Sequence, residues 1–197
     1  MTNFNPIRIP GRWKKGYALD YHTISSTYLG DDEFGHPIYD TQRTEIGELL
    51  YRLKYRLDNS VLEEIITALE RFLKSWKPPI EFIIPVPPSR IQRVKQPVQL
   101  IAQGIGNRLT IPVKPECVIK VKQIVELKNI YDFDERLRLL KGAFKIDSSW
   151  VGERNLLLFD DLFRSGATMN AITEALYEEG FANEVYALTI TRTRSRT

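Results

Sequence analysis

The chain has very little cysteine or histidine, and it has no long apolar run. Of its 197 residues, one is a cysteine and two are histidines. The single Cys117 excludes an internal disulfide framework and a cysteine-rich zinc site. No apolar stretch reaches the roughly 18 residues that a membrane-crossing helix needs, and residues 1–15 lack the apolar core of a signal peptide. We therefore expect a cytoplasmic protein that does not enter a membrane.

The chain also carries little net charge. Its 28 basic and 25 acidic residues give +3, which does not support nucleic-acid binding, although such binding stays possible. Arg192, Arg194 and Arg196 alternate with threonine and serine near the end, as in a solvated tail. With 43% hydrophobic and 27% charged residues, the composition is that of an ordinary globular protein.

The sequence pattern changes after about residue 46. Residues 1–46 are rich in aromatic, glycine and polar residues, and turn residues at 31–35 separate two extended stretches, 17–24 and 37–39, which predicts a hairpin. We expect residues 1–46 to form a small N-terminal hood and residues 47–197 to form an α/β domain that packs with it as one compact unit.

Helical and extended patterns alternate through this second region. Helical spacing begins at Ile46, and a Ser60–Glu63 capping box predicts the start of a second helix. Further on we expect strands at 81–86, 155–159 and 184–191, an extended segment at 111–120, and helices that begin near Pro97 and Thr168. This alternation predicts a mostly parallel central sheet with helices on both faces, with ligands at the carboxyl ends of its strands.

One segment combines acidic residues with a small-residue turn. Asp160 and Asp161 follow an apolar strand, and a turn then opens a helix; the residues of this turn are Arg164, Ser165, Gly166, Ala167 and Thr168. Backbone N–H groups at a helix start bind phosphate, and adjacent carboxylates suit a sugar diol. The pattern favours a ribose 5-phosphate site. The alternative is a solvated acidic loop beside an ordinary helix cap, and Ser165 or Thr168 is expected to cap the helix in either case.

This segment resembles the phosphoribosyl pyrophosphate (PRPP) motif of type I phosphoribosyltransferases, in which two acids precede a T-T-G-x-T-like turn. The resemblance implies that Asp160 and Asp161 bind the ribose and that residues 164–168 bind its 5-phosphate. Arg164 departs from the usual threonine. Other segments are similar to the competence protein F (ComF) branch: Leu53-Lys54-Tyr55-Arg56, the loop 84–88 and residues 141–144. The four-cysteine zinc module of many ComF proteins is absent from residues 1–46.

The loop after the strand at 81–86 is a second candidate site. The resemblance implies that it binds pyrophosphate, with basic residues as counter-charges; the candidates are Pro87, Pro88, Ser89, Arg90, Arg93 and Lys95. The alternative is a strand that ends in prolines before a solvated basic helix face. Residues 121–141 resemble a mobile loop that closes over substrate, with Lys120, Lys122 and Lys128 as candidates. A solvated amphipathic segment fits their composition equally well.

The resemblance implies a type I phosphoribosyltransferase fold and transfer of phosphoribosyl from PRPP, with Mg²⁺ as cofactor and pyrophosphate as product. Magnesium usually bridges substrate phosphates, so no dedicated protein cage is expected. No catalytic residue is assigned, the acceptor is unknown, and a homodimer is one possible assembly. The alternative is a non-catalytic nucleotide-binding regulator or an accessory protein of DNA uptake or repair. His22, His36 and Cys117 are expected to be structural or inert.

Overall fold

The computed structural model describes residues 1–88, 96–122 and 133–194. The strands are β1 (Ile7–Arg8), β2 (Lys15–Tyr21), β3 (Thr23–Asp31), β4 (Pro37–Arg43), β5 (Phe82–Pro85), β6 (Val118–Lys120), β7 (Phe144–Ile146), β8 (Asn155–Phe163) and β9 (Glu184–Arg192). The α-helices are α1 (Glu45–Tyr55), α2 (Leu62–Trp76), α3 (Pro97–Leu109), α4 (Phe133–Leu140), α5 (Ser148–Val151) and α6 (Ala167–Glu178).

Five strands form the central sheet in the order β1-β2-β9-β8-β5. Strands β2, β9, β8 and β5 are parallel to one another, and only β1 at the edge runs antiparallel. Helices α1, α2 and α3 supply the apolar core on one face, whereas α4 and α6 pack on the other. Successive residues of β8 point to opposite faces of the sheet. Leu157 and Phe159 pack in the core with α1, α2 and α3, and Leu156 and Leu158 pack in the core with α4 and α6. The predicted fold class is confirmed.

Strand β8 is longer than the sequence predicts. The apolar run predicts an end at residue 159, whereas the strand continues to Phe163, which pairs with Arg192 of β9. The extension occurs because β9 also continues and supplies backbone partners beyond the apolar run. Asp160 and Asp161 therefore lie within a strand and not in a loop.

Two other local predictions are wrong. Helix α2 begins at Leu62 with no side-chain cap, and the Ser60–Glu63 capping box is replaced by Asp58, whose carboxylate accepts from the Ser60 N–H at 3.0 Å. This bond caps a short 3-10 helix that precedes α2. The segment 111–120 is extended only in part, because Pro115–Cys117 forms another 3-10 helix before β6. Pro115 suits the first position of that turn, since it has no N–H to satisfy there.

The N-terminal residues contribute to the sheet and to a hairpin. Strand β2 lies between β1 and β9 in the central sheet, and β3 pairs with β4 in a separate two-stranded hairpin. The predicted stretch 17–24 spans the end of β2 and the start of β3, because the chain changes direction at His22. Whether the hairpin acts as a hood stays a prediction. Among the described residues, no helix combines the length and apolarity that crossing a bilayer requires.

Helix α1 passes so close to the backbone that follows β2 that a side chain at Gly47 would not fit. A Cβ there would lie 2.2 Å from the His22 carbonyl oxygen. We expect Gly47→Ala to lower the free energy of unfolding by about 1–3 kcal/mol because backbone must move. Gly104→Ala in α3 is the matched control, since its Cβ would meet only side-chain atoms of Ile66, with the terminal Cδ1 nearest, and no backbone atom. Urea unfolding of the two variants measures the difference, and equal stability would contradict this account of the α1 contact.

Candidate functional site

The two adjacent acids lie at the carboxyl-terminal part of the central strand β8. The Asp161 N–H donates to the Asp160 carboxylate at 2.8 Å. Asp161 is buried and Asp160 is partly buried. Burial disfavours the charged form of a carboxyl group, and the negative charge of a neighbouring carboxylate adds to this cost. The arrangement therefore needs either a counter-charge or a retained proton.

Lys54 supplies the counter-charge. It lies in the last turn of α1, and its ammonium forms an ion pair with Asp161 Oδ2. The side chains of Lys54 and Asp161 are only 17% and 12% exposed. A pair withdrawn from water to this extent is screened little by salt. Lys54 therefore places a positive charge directly against the acid pair.

Asp160 is the acid that retains a proton. Burial, with the negative charge of Asp161 as a second cause, raises the pKa of Asp160 from its ordinary 3.8 to about 8. The hydrogen bond from the Asp161 N–H and the positive charge of Lys54 oppose this rise and are the smaller effects. At neutral pH Asp160 consequently keeps its proton, so it offers a donor as well as acceptors to hydroxyl groups.

The turn after β8 leads directly into α6. The N-cap residue of α6 is Gly166 at φ +77°, and no side chain caps the helix. Ser165 Oγ lies 3.4 Å from the Ala167 nitrogen, which is long for a hydrogen bond. The N-cap position is Gly166, so neither Ser165 nor Thr168 occupies it, and Ser165 satisfies the Ala167 N–H only through this long hydrogen bond. The N-cap residue supplies no side-chain acceptor for the other N–H groups in the first turn of α6.

Gly166 is needed for two physical reasons. Its positive φ favours glycine, and a Cβ there would lie 2.5 Å from the Phe163 ring. Asn170 supports the turn from within α6, because its side-chain amide donates to the Gly166 carbonyl at 2.9 Å. Asn170 also accepts from the Arg12 N–H at 2.8 Å, which ties the turn to the N-terminal segment.

A cation that the sequence analysis did not assign to this turn reaches it from α4. Arg136 of α4 donates to Ser165 Oγ at 3.0 Å. Arg164, the cation that the sequence places in the turn, is exposed. Thr168 is partly buried at the start of α6. The structure thus brings residues 164–168, the acid pair and Arg136 to one end of β8.

The second candidate loop starts beside β8. Strand β5 pairs with β8 in parallel, and the Val86 N–H donates to the Phe159 carbonyl at 2.8 Å. Pro87 and Pro88 follow, partly buried, at the same sheet edge as the acids. The loop after β5 and the turn after β8 therefore leave neighbouring strands in the same direction. Ser89, Arg90, Arg93 and Lys95 lie outside the described residues.

Two of the three lysines proposed for a mobile loop lie within the described residues, and they make different contacts. Lys120 ends β6 opposite Phe144. The Lys122 ammonium donates to the Lys141 carbonyl at 3.0 Å, so it joins the two ends of the segment 121–141. Lys128 lies outside the described residues. A substrate-binding role for these lysines stays a prediction.

His22 lies closer to the site than the sequence indicates. Its Nδ1 is 3.2 Å from the Thr191 hydroxyl at the end of β9. Burial lowers the pKa of His22, as do the positive charges of Arg43 and Lys54, while Asp161 and Glu48 oppose the shift. His22 is therefore neutral at physiological pH and belongs to the polar surroundings of the ion pair. Cys117 is buried, which raises the pKa of its thiol to about 12 and keeps it unreactive as expected.

Lys54 and Arg136 are the site residues that sequence reasoning missed. Lys54 lies in the ComF-like segment 53–56, but the resemblance assigns no role to this lysine. Arg136 lay in a charge-rich segment that composition alone could not distinguish from a solvated face. Both come from elements distant in sequence from β8, so only the fold brings them to the acids.

The comparisons with known proteins concern the fold. No family model matches the chain, and no curated protein matches it. Adenine phosphoribosyltransferase from Saccharomyces cerevisiae is similar in structure, with a TM-score of 0.50, 13% identity, and coverage of 86% of this chain and 85% of the yeast chain. The enzyme from Leishmania donovani has a TM-score of 0.50 and 13% identity, with coverage of 95% and 75%. The chain has the type I phosphoribosyltransferase fold, while the ComF branch is not confirmed.

The raised pKa of Asp160 makes stability depend on pH. Between pH 3.8 and about 8 the folded protein holds a proton on Asp160 that the unfolded chain has released. The contribution of this group to stability therefore falls as pH rises through that window. Asp160→Asn removes the ionisation, so we expect the variant to gain stability relative to the wild type as pH increases. Urea unfolding across the window measures this gain.

Glu178→Gln provides the control for this measurement. Glu178 is an exposed carboxylate in the last turn of α6. We expect its variant to follow the pH dependence of the wild type. A stability difference between Asp160→Asn and wild type that is constant over the window would contradict a retained proton on Asp160.

Proposed function

We propose that the chain is a phosphoribosyltransferase, which binds PRPP with Mg²⁺ and transfers its phosphoribosyl group to an acceptor with release of pyrophosphate. The observation that carries the proposal is the junction of β8 and α6. There the acid pair stands directly before a glycine turn and a helix start that no side chain caps. Acceptors for a diol and donors for a phosphate are thus placed within one short segment.

The acid pair suits the ribose. Asp161, which is paired with Lys54, would accept hydrogen bonds from hydroxyl groups, while Asp160 would both accept and donate. Vicinal hydroxyls of a sugar match two adjacent carboxyl groups, because each hydroxyl is both donor and acceptor. A phosphate placed on the acids themselves would be repelled, so the phosphate is expected at the turn.

The turn suits the 5-phosphate. The first N–H groups of α6 and its positive dipole end favour an anion. Arg136 adds a guanidinium whose Nη1 is hydrogen-bonded to Ser165 in the same turn. The Thr168 hydroxyl is a further donor. Gly166 supplies the positive φ that turns the chain from β8 into α6.

Pyrophosphate is expected at the carboxyl end of β5. The loop at Pro87 and Pro88 lies beside the acids, since β5 and β8 are neighbours. The basic residues 90, 93 and 95 remain part of this proposal and would offset the charge of the leaving group.

Magnesium fits this donor set as an ion shared with the substrate. Among the described residues, no three histidine, cysteine or acidic side chains are grouped to hold a metal. Asp160 and Asp161 are the carboxylates that would contact an ion, and substrate oxygens and water would complete its shell. When bound, Mg²⁺ would neutralise pyrophosphate charge. The residues of the chain hold and orient the sugar phosphate, which makes the two reacting partners effectively intramolecular.

The acid pair provides the first test of the proposal. The double variant Asp160→Asn/Asp161→Asn preserves the shape of both side chains. It removes their negative charge and so weakens the hydrogen bonds that they would accept from the ribose hydroxyls. We expect a loss of PRPP affinity of roughly a hundredfold or more, since hydrogen bonds to charged groups are worth about 1.5–3 kcal/mol each. Isothermal titration with and without Mg²⁺ measures the affinity, and a pyrophosphate-release assay against a panel of nucleobases measures turnover.

Asp147→Asn is a control for general effects of removing acid groups, because Asp147 caps α5 and lies outside the acid pair. We expect it to retain PRPP affinity. Unchanged affinity in the double variant would refute the ribose site. Tight binding by the wild type without pyrophosphate release for any acceptor tested would favour the nucleotide-binding regulator instead.

Thr168 tests the phosphate turn separately. Because Gly166 is the N-cap residue, Thr168→Ala should leave the stability of the free protein nearly unchanged. Loss of one hydrogen bond to a charged phosphate should reduce ribose 5-phosphate affinity by roughly tenfold to a hundredfold. Ser148→Ala, at the exposed start of α5, is the matched control. Thermal shifts with ribose 5-phosphate measure the effect, and equal protection of both variants would contradict a phosphate role.

Gly166→Val is a poor probe of the same turn. Its side chain would meet the Phe163 ring in a backbone conformation that β-branched residues avoid. We expect it to destabilise the free protein, so its loss of ligand binding would not distinguish a site from a fold defect.

A further inference from the structure

We infer that the hairpin of β3 and β4 pairs with the same hairpin of a second copy of this chain. The two β3 strands then run antiparallel at the centre of a four-stranded sheet. Three features of the hairpin support this pairing: its exposed apolar side chains, the open edge of β3, and the opposite charges at its two ends. The hairpin is a sheet of its own, so the pairing does not depend on the proposed function.

The hairpin exposes many large apolar side chains. It has only two strands, and a two-stranded hairpin alone is marginally stable in water. Every residue from 24 to 40 is exposed except Gly30 and Asp32. The large apolar residues in this range, each between 46% and 77% exposed, are Ile24, Tyr28, Leu29, Phe34, Ile38 and Tyr39. A concentration of exposed apolar residues is typical of a surface that contacts another protein.

The outer edge of β3 is open to another strand. Among the described residues, no third strand joins the hairpin. Natural proteins protect such edges with proline or charged residues. Strand β4 has this protection, since it begins at Pro37 and contains Asp40. Residues 23–30 of β3 contain neither proline nor a charged residue, so β3 is the edge that can pair.

Twofold symmetry fixes the register of this pairing. When two copies of one strand pair about a twofold axis, they are antiparallel, and the residue on the axis lies opposite its own copy. Strand β3 spans Thr23–Asp31, so full overlap places Thr27 on the axis. Asp31 then lies opposite Thr23 of the second copy. The two register shifts of the hairpin lie near the ends of β3, on either side of this centre.

The tip of the hairpin is negatively charged. Residues 31–33 are two aspartates and a glutamate. In the described part of the chain, their only ion-pair partner is His36, whose Nδ1 lies 3.4 Å from Asp32 Oδ2. Backbone hydrogen bonds from His36 and from Phe34 lower the pKa of Asp32. The tip therefore presents negative charge at neutral pH.

Arg194 provides a positive charge at the opposite end of β3. Its Nε donates to the Thr23 carbonyl at 3.3 Å, and its guanidinium packs on the Tyr21 ring at 4.1 Å. Neither contact supplies a carboxylate. Because Asp31 lies opposite Thr23 of the second copy, the acidic tip of each hairpin meets Arg194 of the other copy. The two ends of the interface are thus complementary in charge.

The same register covers aromatic surface. Tyr28 and Tyr39 are cross-strand partners, and their ring centroids lie 5.7 Å apart. With Thr27 on the axis, Tyr28 lies opposite Ser26 of the second copy and diagonal to the second copy's Tyr28. Aromatic side chains reach a diagonal neighbour across antiparallel strands. The tyrosines of both copies therefore form one row across the new sheet.

A cysteine on the axis tests the pairing directly. Thr27→Cys places two thiols opposite each other, at a Cα separation that a disulfide accepts. Gln42→Cys is the matched control, because Gln42 is an exposed residue of β4 in the same hairpin. The native Cys117 does not compete, since it is buried and its thiol pKa is raised to about 12.

We expect oxidation with diamide to link most of the Thr27→Cys protein into a covalent dimer and to leave Gln42→Cys and the wild type unlinked. Electrophoresis without reductant measures the linked fraction. No covalent dimer in Thr27→Cys, or equal linking of the two variants, would overturn the pairing.

Sedimentation equilibrium measures the association without a cross-link. Thr27→Lys places like charges directly opposite each other on the axis. Within its own hairpin the lysine gains an opposite charge, because position 27 pairs with Asp40. We expect the dimer dissociation constant to rise by roughly tenfold or more. Gln42→Lys should stay within a few-fold of the wild type.

Arg194→Gln tests the charge contact with a change outside the hairpin, so it does not depend on how Thr27→Lys folds. We expect it to weaken the dimer by about threefold to tenfold and to reduce the salt dependence of association. A monomeric wild type would overturn the pairing. Unchanged association in Thr27→Lys or in Arg194→Gln, or equal losses in Thr27→Lys and Gln42→Lys, would overturn it as well.

Discussion

The ion pair between Lys54 and Asp161 is the interaction on which the candidate site depends. Two adjacent acids at the end of a buried strand are unfavourable for folding, because their charged forms repel each other and are poorly solvated. The structure accommodates them with one ammonium from α1 and one retained proton on Asp160. A fold selected only for stability would place apolar residues there, so the acids point to a ligand.

The sheet explains how distant segments meet at this site. Parallel pairing of β5, β8 and β9 aligns their carboxyl ends at one edge. The acids, the glycine turn and the proline loop reach that edge along their own strands, while α1 delivers Lys54 and α4 delivers Arg136 from the two opposite faces. The site therefore combines both layers of helices with the central sheet.

The sequence predicts the parts of this arrangement that have a local signal. Alternating apolar strands and helices indicate the sheet, and Asp160, Asp161 and Gly166 mark the site. The extension of β8 to Phe163 was missed because it depends on the partner strand β9. The Ser60–Glu63 capping box does not form because the Asp58 carboxylate accepts from the Ser60 N–H, which the Glu63 side chain would have bound. Lys54 carries no sign of its role, since its contact with Asp161 arises only when α1 packs over β8.

A crystal structure of the protein with bound ribose 5-phosphate tests the central claim most directly, because it locates the diol and the phosphate independently. We predict the sugar hydroxyls within hydrogen-bond distance of both Asp160 and Asp161, with Asp161 still paired to Lys54. The phosphate should lie on the N–H groups at the start of α6, within reach of Arg136. A ligand bound elsewhere, or a phosphate directed away from the turn at Gly166, would contradict the account.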